Sequence, residues 1–245
     1  MRPVSHLILI SLLIALSEVL TLFSGPKVGI VAYISILFLL IIQFTFIKDL
    51  SSDFTRLFQV MTLIPLYRII TLSIPVELIT YVGYLIITTV SLLVGSLILI
   101  AVLGISLEEV GIVLRDPLPQ ILCIIAAPCI GYIEWILLKP SGLEAVIPAT
   151  LILMLAAFTE ELIFRGIIQQ SIEKAVGSAF SAILLTTTLY TIFFISYASG
   201  LELLLVAFTS LLFGYVVSRS GSIAGVSLSH AFINISFLVI FPLQM

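Results

Sequence analysis

The sequence predicts an all-α fold, a polytopic transmembrane helix bundle of about eight or nine spans. Of the 245 residues, 61% are hydrophobic and only 9% are charged, whereas soluble domains carry about 25% charged residues. The apolar residues also fall into runs close to the roughly 20 residues that a bilayer-spanning helix needs. These runs are too long for barrel strands of about ten residues, so lipid favours helices that satisfy their own backbone hydrogen bonds.

Polar or Gly/Pro-rich stretches separate the apolar runs and define the predicted spans. These are 6–23, 29–47, 57–74, 81–103, 120–138, 145–164, 179–197, 201–217 and 222–243. The third and eighth are the weakest, so eight spans are nearly as good a prediction as nine. The first run continues past Glu18 without a small-residue cleavage site. We therefore interpret it as a retained helix and not as a signal peptide.

The distribution of charge predicts the orientation and excludes one class of partner. With nine spans, six basic residues lie on the side of the N-terminus and two on the other side. The positive-inside rule then predicts a multi-pass protein of the cell membrane with a cytoplasmic N-terminus. The end of the sixth span is expected on the cytoplasmic side as well. A net charge of −3 without a basic patch argues against a nucleic-acid partner.

The sixth span carries a cluster of charges in an apolar run, namely Glu160, Glu161 and Arg165. Each costs roughly 2.5–3.5 kcal/mol at a helix centre, so the cluster is a candidate functional site. Glu161 and Arg165 are four residues apart and can pair on one helix face. Glu160 lies about 100° round the helix and is free for chemistry such as general-base catalysis. The alternative is an ion cluster at the lipid–water interface.

The last span carries a second polar pair, His230 and Asn234, again four residues apart on one face. An imidazole and an amide together can stabilise an oxyanion or ligate a metal, but they can also simply hydrogen-bond neighbouring helices. Glu18, Arg68 and Glu134 also fall within apolar segments. We interpret these three as packing contacts, with Arg68 paired to Glu18 or to Glu134.

In this order and spacing, Glu160-Glu161-x-x-x-Arg165 and His230-x-x-x-Asn234 resemble the motifs of the CPBP family. This family contains the type II CAAX prenyl endopeptidases and the Abi bacteriocin-processing proteases. The resemblance covers about 103–241. It divides the chain into N-terminal transmembrane helices, 1–104, and a CAAX-protease-like core, 105–245.

The resemblance implies a membrane-embedded endopeptidase that hydrolyses a peptide bond in a membrane-associated or prenylated substrate. Glu160 would work with a histidine to activate water, and His230 and Asn234 would hold the oxyanion or the substrate. Glu161 and Arg165 would form a structural pair. The cavity of such a protease opens to the cytoplasm, in keeping with the predicted orientation. The implied partners are a peptide substrate and the lipid bilayer.

One position departs from the family pattern. The family has F-x-x-x-H between the two motifs, and here Phe193-x-x-x-Tyr197 has a tyrosine in place of the histidine. Tyr197 is a catalytic candidate as a hydrogen-bond donor, but it is a poor base at neutral pH. Zinc catalysis usually takes three protein ligands. Glu160 and His230 are the candidate metal ligands. Because the histidine is missing, the sequence leaves open whether the protein binds a cofactor such as zinc.

Three functions are consistent with these features. A metalloendopeptidase-like hydrolase of the CAAX type is the leading prediction. A catalytically inactive relative that binds membrane proteins as a scaffold is the alternative, favoured by the substitution at Tyr197. A small transporter that uses Glu160, Glu161 and His230 as a proton relay is the third.

Overall fold

The computed structural model describes residues 3–46, 51–143, 145–196 and 199–244 and folds them into helices joined by short loops. The helices are α1 (Pro3–Ser24), α2 (Pro26–Phe46), α3 (Ser52–Val60), α4 (Leu63–Ser73), α5 (Tyr81–Val102), α6 (Pro117–Leu138), α7 (Val146–Glu161), α8 (Gln170–Val176), α9 (Ala179–Ile192), α10 (Gly200–Ser220) and α11 (Ala224–Ile235). A π-helical segment, Leu162–Gln169, joins α7 to α8, and a second, Ser236–Ile240, extends α11. The predicted all-α bundle is confirmed.

The helices long and apolar enough to cross a membrane number six in the described part of the chain. They are α1, α2, α5, α6, the continuous helix Val146–Val176 and α10. Two shorter apolar helices, Ala179–Ile192 and Ala224–Ile240, complete the set. These helices make the chain a multi-pass membrane protein.

The third predicted span, 57–74, does not form one helix but two short ones, α3 and α4. Pro65 lies in the first turn of α4, and its missing N–H removes the hydrogen bond that would continue α3. Helix α3 also carries polar residues on one face, with Asp53 in its first turn. The hydrophobic run was long enough for a span, but the proline and this polar face divide it.

Local sequence signals place several helix ends. The hydroxyls of Ser51, Thr80 and Ser178 each accept a hydrogen bond from a backbone N–H in the first turn of the following helix. Ser199 and Glu202 form a reciprocal capping box at the start of α10. Gly221 ends α10 with a φ of 66°, a left-handed conformation that glycine adopts without steric cost.

The continuous helix from α7 to α8 forms the centre of the bundle. It was predicted to end near residue 164 but extends over 31 residues to Val176. Every residue of its π-helical segment is buried, because α3, α9 and α10 pack around it. Glu160 and Glu161 end α7 immediately before this segment, and Arg165 lies within it. The charged cluster is therefore in the protein interior and not at the bundle surface.

A second buried ion pair joins the N-terminal helices. Arg68 on α4 donates from Nε to Oε1 of Glu18 at 2.5 Å and from Nη2 to Oε2 at 2.8 Å. Tyr33 donates to the same Oε1, and Nη2 also reaches Ser196 Oγ at 3.1 Å. Of the two predicted partners for Arg68, the structure shows Glu18. Glu134 is not the partner of Arg68 in this ion pair.

The two ends of the bundle differ in charge. At one end, which we call the basic end, Glu109 in the α5–α6 loop accepts from Lys174 at the end of α8 and from Arg56 on α3. The hydrogen bond from Lys174 lowers the pKa of the Glu109 carboxyl. Ile223, just after α10, donates its N–H to Gly111 in the same loop. The opposite end holds the N-termini of α5 and α10 and the C-terminus of α6.

Helices α6 and α11 approach each other closely at Gly131. A Cβ added to Gly131 would lie 2.7 Å from the Ile233 carbonyl oxygen and 2.8 Å from Ser236 Cβ. We therefore expect Gly131→Ala to lower the free energy of unfolding by about 1–3 kcal/mol through overpacking. Denaturant titration in mixed micelles measures it. Gly200→Ala is the matched control, since nothing lies within 4 Å of its added Cβ. Equal stability of the two variants would contradict the close approach.

Candidate active site

Glu160, at the end of α7, is the centre of a small hydrogen-bonded cluster. Its Oε2 accepts a hydrogen bond of 2.7 Å from the Tyr190 hydroxyl on α9. Its Oε1 accepts one of 3.2 Å from the Tyr67 hydroxyl on α4. The Phe164 ring packs edge-on against both tyrosine rings and so helps to hold them in place. Two phenol donors from two helices therefore fix the position of this carboxylate.

Glu161 faces a different set of groups and is fully buried. Its Oε2 lies 3.2 Å from Arg165 Nε as an ion pair without hydrogen-bond geometry, and its Oε1 accepts from the same guanidinium at 3.3 Å. The geometry thus contains the pair predicted from the four-residue spacing. The guanidinium also lies 4.6 Å from the centre of the Tyr190 ring, a cation–π contact. Glu161 and Arg165 therefore support the ring that holds Glu160.

His230 joins the two glutamates, a connection that the sequence did not predict. Its Nδ1 lies 2.8 Å from Glu161 Oε1, and its Nε2 lies 3.9 Å from Glu160 Oε2. The first contact is a hydrogen bond that orients the ring and places a proton on Nδ1 in the neutral form. The second is too long for a direct hydrogen bond, but one water molecule can contact both atoms.

A cavity of about 660 Å³ lies in front of these groups. Glu160, Glu161, His230 and Asn234 all line it. Glu160 and His230 remain partly accessible, with side chains 23% and 12% exposed. Residues from distant parts of the sequence therefore converge on one space that can admit water and substrate, although their catalytic roles stay predictions.

The direction of the cavity differs from the expectation. Its floor is formed by the buried Arg165, and its outer lining includes Tyr81 at the start of α5, Pro140 after α6 and Ser199 before α10. These residues lie at the end opposite to the basic end. The lining therefore runs toward the end opposite to the basic, predicted cytoplasmic end, whereas the resemblance implied a cavity that opens to the cytoplasm. The orientation of the bundle in the membrane stays a prediction. Glu160 lies in the middle of a 31-residue helix, and no local sequence pattern indicated which end of the bundle its side chain would face.

Tyr197, the predicted substitute for the family histidine, lies outside the described residues. Tyr190 and Tyr67 are the residues that sequence reasoning missed. Both lie in apolar stretches, where a buried phenol hydroxyl needs a hydrogen-bond partner. This requirement was the signal in the sequence that could have pointed to a contact with a buried carboxylate. Glu134, interpreted as a packing charge, lines the cavity instead.

The donor set does not fit a zinc ion. Glu160 and His230 supply two candidate ligands, whereas a catalytic zinc site usually takes three. The nearest further carboxylate, Glu161, is already engaged by His230 and Arg165. Within the described residues, no group of three or more His, Cys, Asp or Glu side chains is placed to hold a metal ion.

The comparisons with known proteins identify one family match. Residues 142–236 match the family model described as type II CAAX prenyl endopeptidase Rce1-like. No curated protein and no solved structure matches the chain. The matched segment includes both motifs, from Glu160 to Asn234. The resemblance to the CPBP family, and within it to the type II CAAX prenyl endopeptidases, is thus confirmed over residues 142–236.

Proposed function

We propose that this protein is a membrane-embedded endopeptidase that uses Glu160 to activate a water molecule. The observation that carries the proposal is the geometry around Glu160 Oε2. The carboxylate is held by Tyr190 at 2.7 Å and faces His230 Nε2 at 3.9 Å across a cavity. A carboxylate and an imidazole that flank one water position can carry out general-base hydrolysis.

The histidine that works with Glu160 is, in this proposal, His230. The Nδ1–H of His230 donates a hydrogen bond to Glu161 Oε1. The neutral ring therefore presents the lone pair of its Nε2 to the cavity. Carboxylate–imidazole pairs of this kind fix the tautomer and the ring orientation in other hydrolases. This assignment removes the need for a histidine at position 197. It also weakens the argument that the protein is an inactive scaffold.

The reaction balances with one water molecule. The water gives a proton to Glu160, and its oxygen forms a bond to the peptide carbonyl carbon. The side-chain amide of Asn234, which lines the same cavity, is the candidate donor to the developing oxyanion. The C–N bond then breaks, and the proton on Glu160 passes to the leaving nitrogen. The products are a carboxylic acid and an amine.

The proposal is tested on the purified full chain in lipid. Wild type and His230→Ala receive a panel of prenylated and transmembrane peptides in heavy-oxygen water. We expect wild type to cut at least one peptide, with the heavy isotope in the new carboxyl group, and His230→Ala to lose this activity. Peptide binding without any cleavage by wild type would overturn the proposal in favour of a scaffold.

Tyr190 is expected to support catalysis through its hydroxyl. Tyr190→Phe keeps the ring against Phe164 and Arg165 but removes the hydrogen bond to Glu160. Hydrogen bonds to charged groups contribute about 1.5–3 kcal/mol, so the rate is expected to fall roughly 10- to 100-fold. Peptide cleavage assays measure the change, and Tyr215→Phe, which removes the hydroxyl of an exposed tyrosine, is the control. An unchanged rate in Tyr190→Phe would show that this bond is not used.

A further inference from the structure

The cavity opens at the end of the bundle that carries few basic residues. In the described residues, Arg56, Arg115, Lys174 and Arg219 lie at the basic end. Only Lys27 and Lys139 lie at the opposite end. The cytoplasmic side of a membrane protein is the side rich in lysine and arginine. By this rule, the mouth of the cavity is expected to face away from the cytoplasm.

The cavity is also acidic. Its lining residues include four carboxylates, those of Glu134, Glu160, Glu161 and Glu202. The lining cation in the described part of the chain is Arg165, which is buried and paired with Glu161. Clefts lined by charge of one sign raise the association rate of ligands of the opposite sign by roughly 10- to 1,000-fold. A peptide that brings a free carboxylate into this space would be repelled.

We propose that the cavity takes a peptide segment that approaches from the non-cytoplasmic side of the membrane and carries positive charge. The proposal rests on the proposed peptidase function for what happens to this segment after binding. The family resemblance implies a membrane-associated or prenylated substrate that approaches from the cytoplasm, and the proposal replaces it by an internal, basic segment at the outer surface. Glu134 and Glu202, which take no part in the proposed hydrolysis, would hold its basic side chains.

Thiol labelling in intact cells tests both parts of the proposal without requiring activity. Cys123 and Cys129 are first replaced by alanine, and single cysteines are then introduced. Leu78→Cys reports the end of the bundle at the cavity mouth, and Leu114→Cys reports the basic end. Both leucines lie in loops, where they are 81% and 88% exposed. Thr209→Cys reports the cavity, which it lines. Thr188→Cys, an exposed threonine on the outer surface of α9, is its matched control in the lipid-facing region.

Membrane-impermeant thiosulfonates, one cationic and one anionic, are applied to the cells, and the unreacted thiols are counted by a mass-tag gel shift. We expect Leu78→Cys and Thr209→Cys to react in intact cells, Leu114→Cys only after permeabilisation, and Thr188→Cys in neither case. At Thr209→Cys the cationic reagent should react about tenfold faster than the anionic one. Glu134→Gln should reduce this ratio, and Leu78→Cys should show little preference.

Three results would overturn the inference. Labelling of Thr209→Cys only after permeabilisation would place the mouth on the cytoplasmic side, and no labelling in either condition would mean that the cavity is closed. Equal rates of the two reagents would remove the preference for a cation. A failure of the peptidase assay together with the expected labelling would count against the proposed function and leave the position of the mouth intact.

Discussion

Glu160→Gln is expected to reduce peptide hydrolysis by roughly 10²- to 10⁴-fold, the usual contribution of a positioned general base. Glutamine keeps the size of the side chain and can still accept a hydrogen bond from Tyr190 or Tyr67 through its carbonyl oxygen. It cannot take a proton from water at neutral pH. The effect should therefore appear in the rate of cleavage, measured under single-turnover conditions, while the thermal unfolding midpoint changes little.

Glu108→Gln is the control for this experiment. Glu108 is an exposed carboxylate that pairs with Arg115 in the α5–α6 loop, far from the cavity. It should retain the wild-type rate. A Glu160→Gln protein that folds and cleaves at the wild-type rate would exclude Glu160 as the base, and His230 would then be the remaining titratable group that faces the same water position.

Arg165→Ala is expected to cause the largest loss of stability, about 3–5 kcal/mol, because it leaves the buried Glu161 carboxylate without its cation. Arg165 is 1% exposed and Glu161 is fully buried. The truncation also removes the guanidinium from the face of the Tyr190 ring. The free energy of unfolding in mixed micelles measures the loss. Arg219→Ala, at an exposed position, should change it by no more than about 0.5 kcal/mol.

A double variant separates structure from chemistry at this pair. Glu161→Leu with Arg165→Met replaces both charges by apolar groups, which is often neutral for stability. His230 would nevertheless lose the acceptor of its Nδ1 proton and with it the fixed orientation of the ring. We expect stability near the wild-type value with strongly reduced cleavage. If the double variant has both the stability and the cleavage rate of wild type, Glu161 does not orient His230.

The bundle and the charged motifs were predictable because lipid penalises charge severely. Two signals can be recognised in a single sequence, namely the long apolar runs and the charged cluster of Glu160, Glu161 and Arg165. The pairing of Glu161 with Arg165 followed from helix periodicity alone. The same reasoning placed His230 and Asn234 on one helix face, and both line the cavity.

The remaining features depend on distances between helices, which periodicity does not contain. The contact of His230 with Glu161 spans 69 residues, and that of Tyr67 with Glu160 spans 93. A tyrosine in an apolar run resembles an ordinary packing residue until its hydroxyl is seen to meet a carboxylate. The direction of the cavity depends on which helix ends diverge, and no local signal in the sequence reports this.

The position of Tyr67 has a consequence for how this protein can be divided. The family match begins at residue 142, yet Tyr67 on α4 donates to Glu160. Thr71, Tyr81 and Tyr84 also line the cavity from helices outside the match. A chain cut down to the core at 105–245 would retain every motif residue and lack one donor to Glu160 and one wall of the cavity. The smallest unit that contains the whole candidate site is therefore larger than the segment that matches the family model.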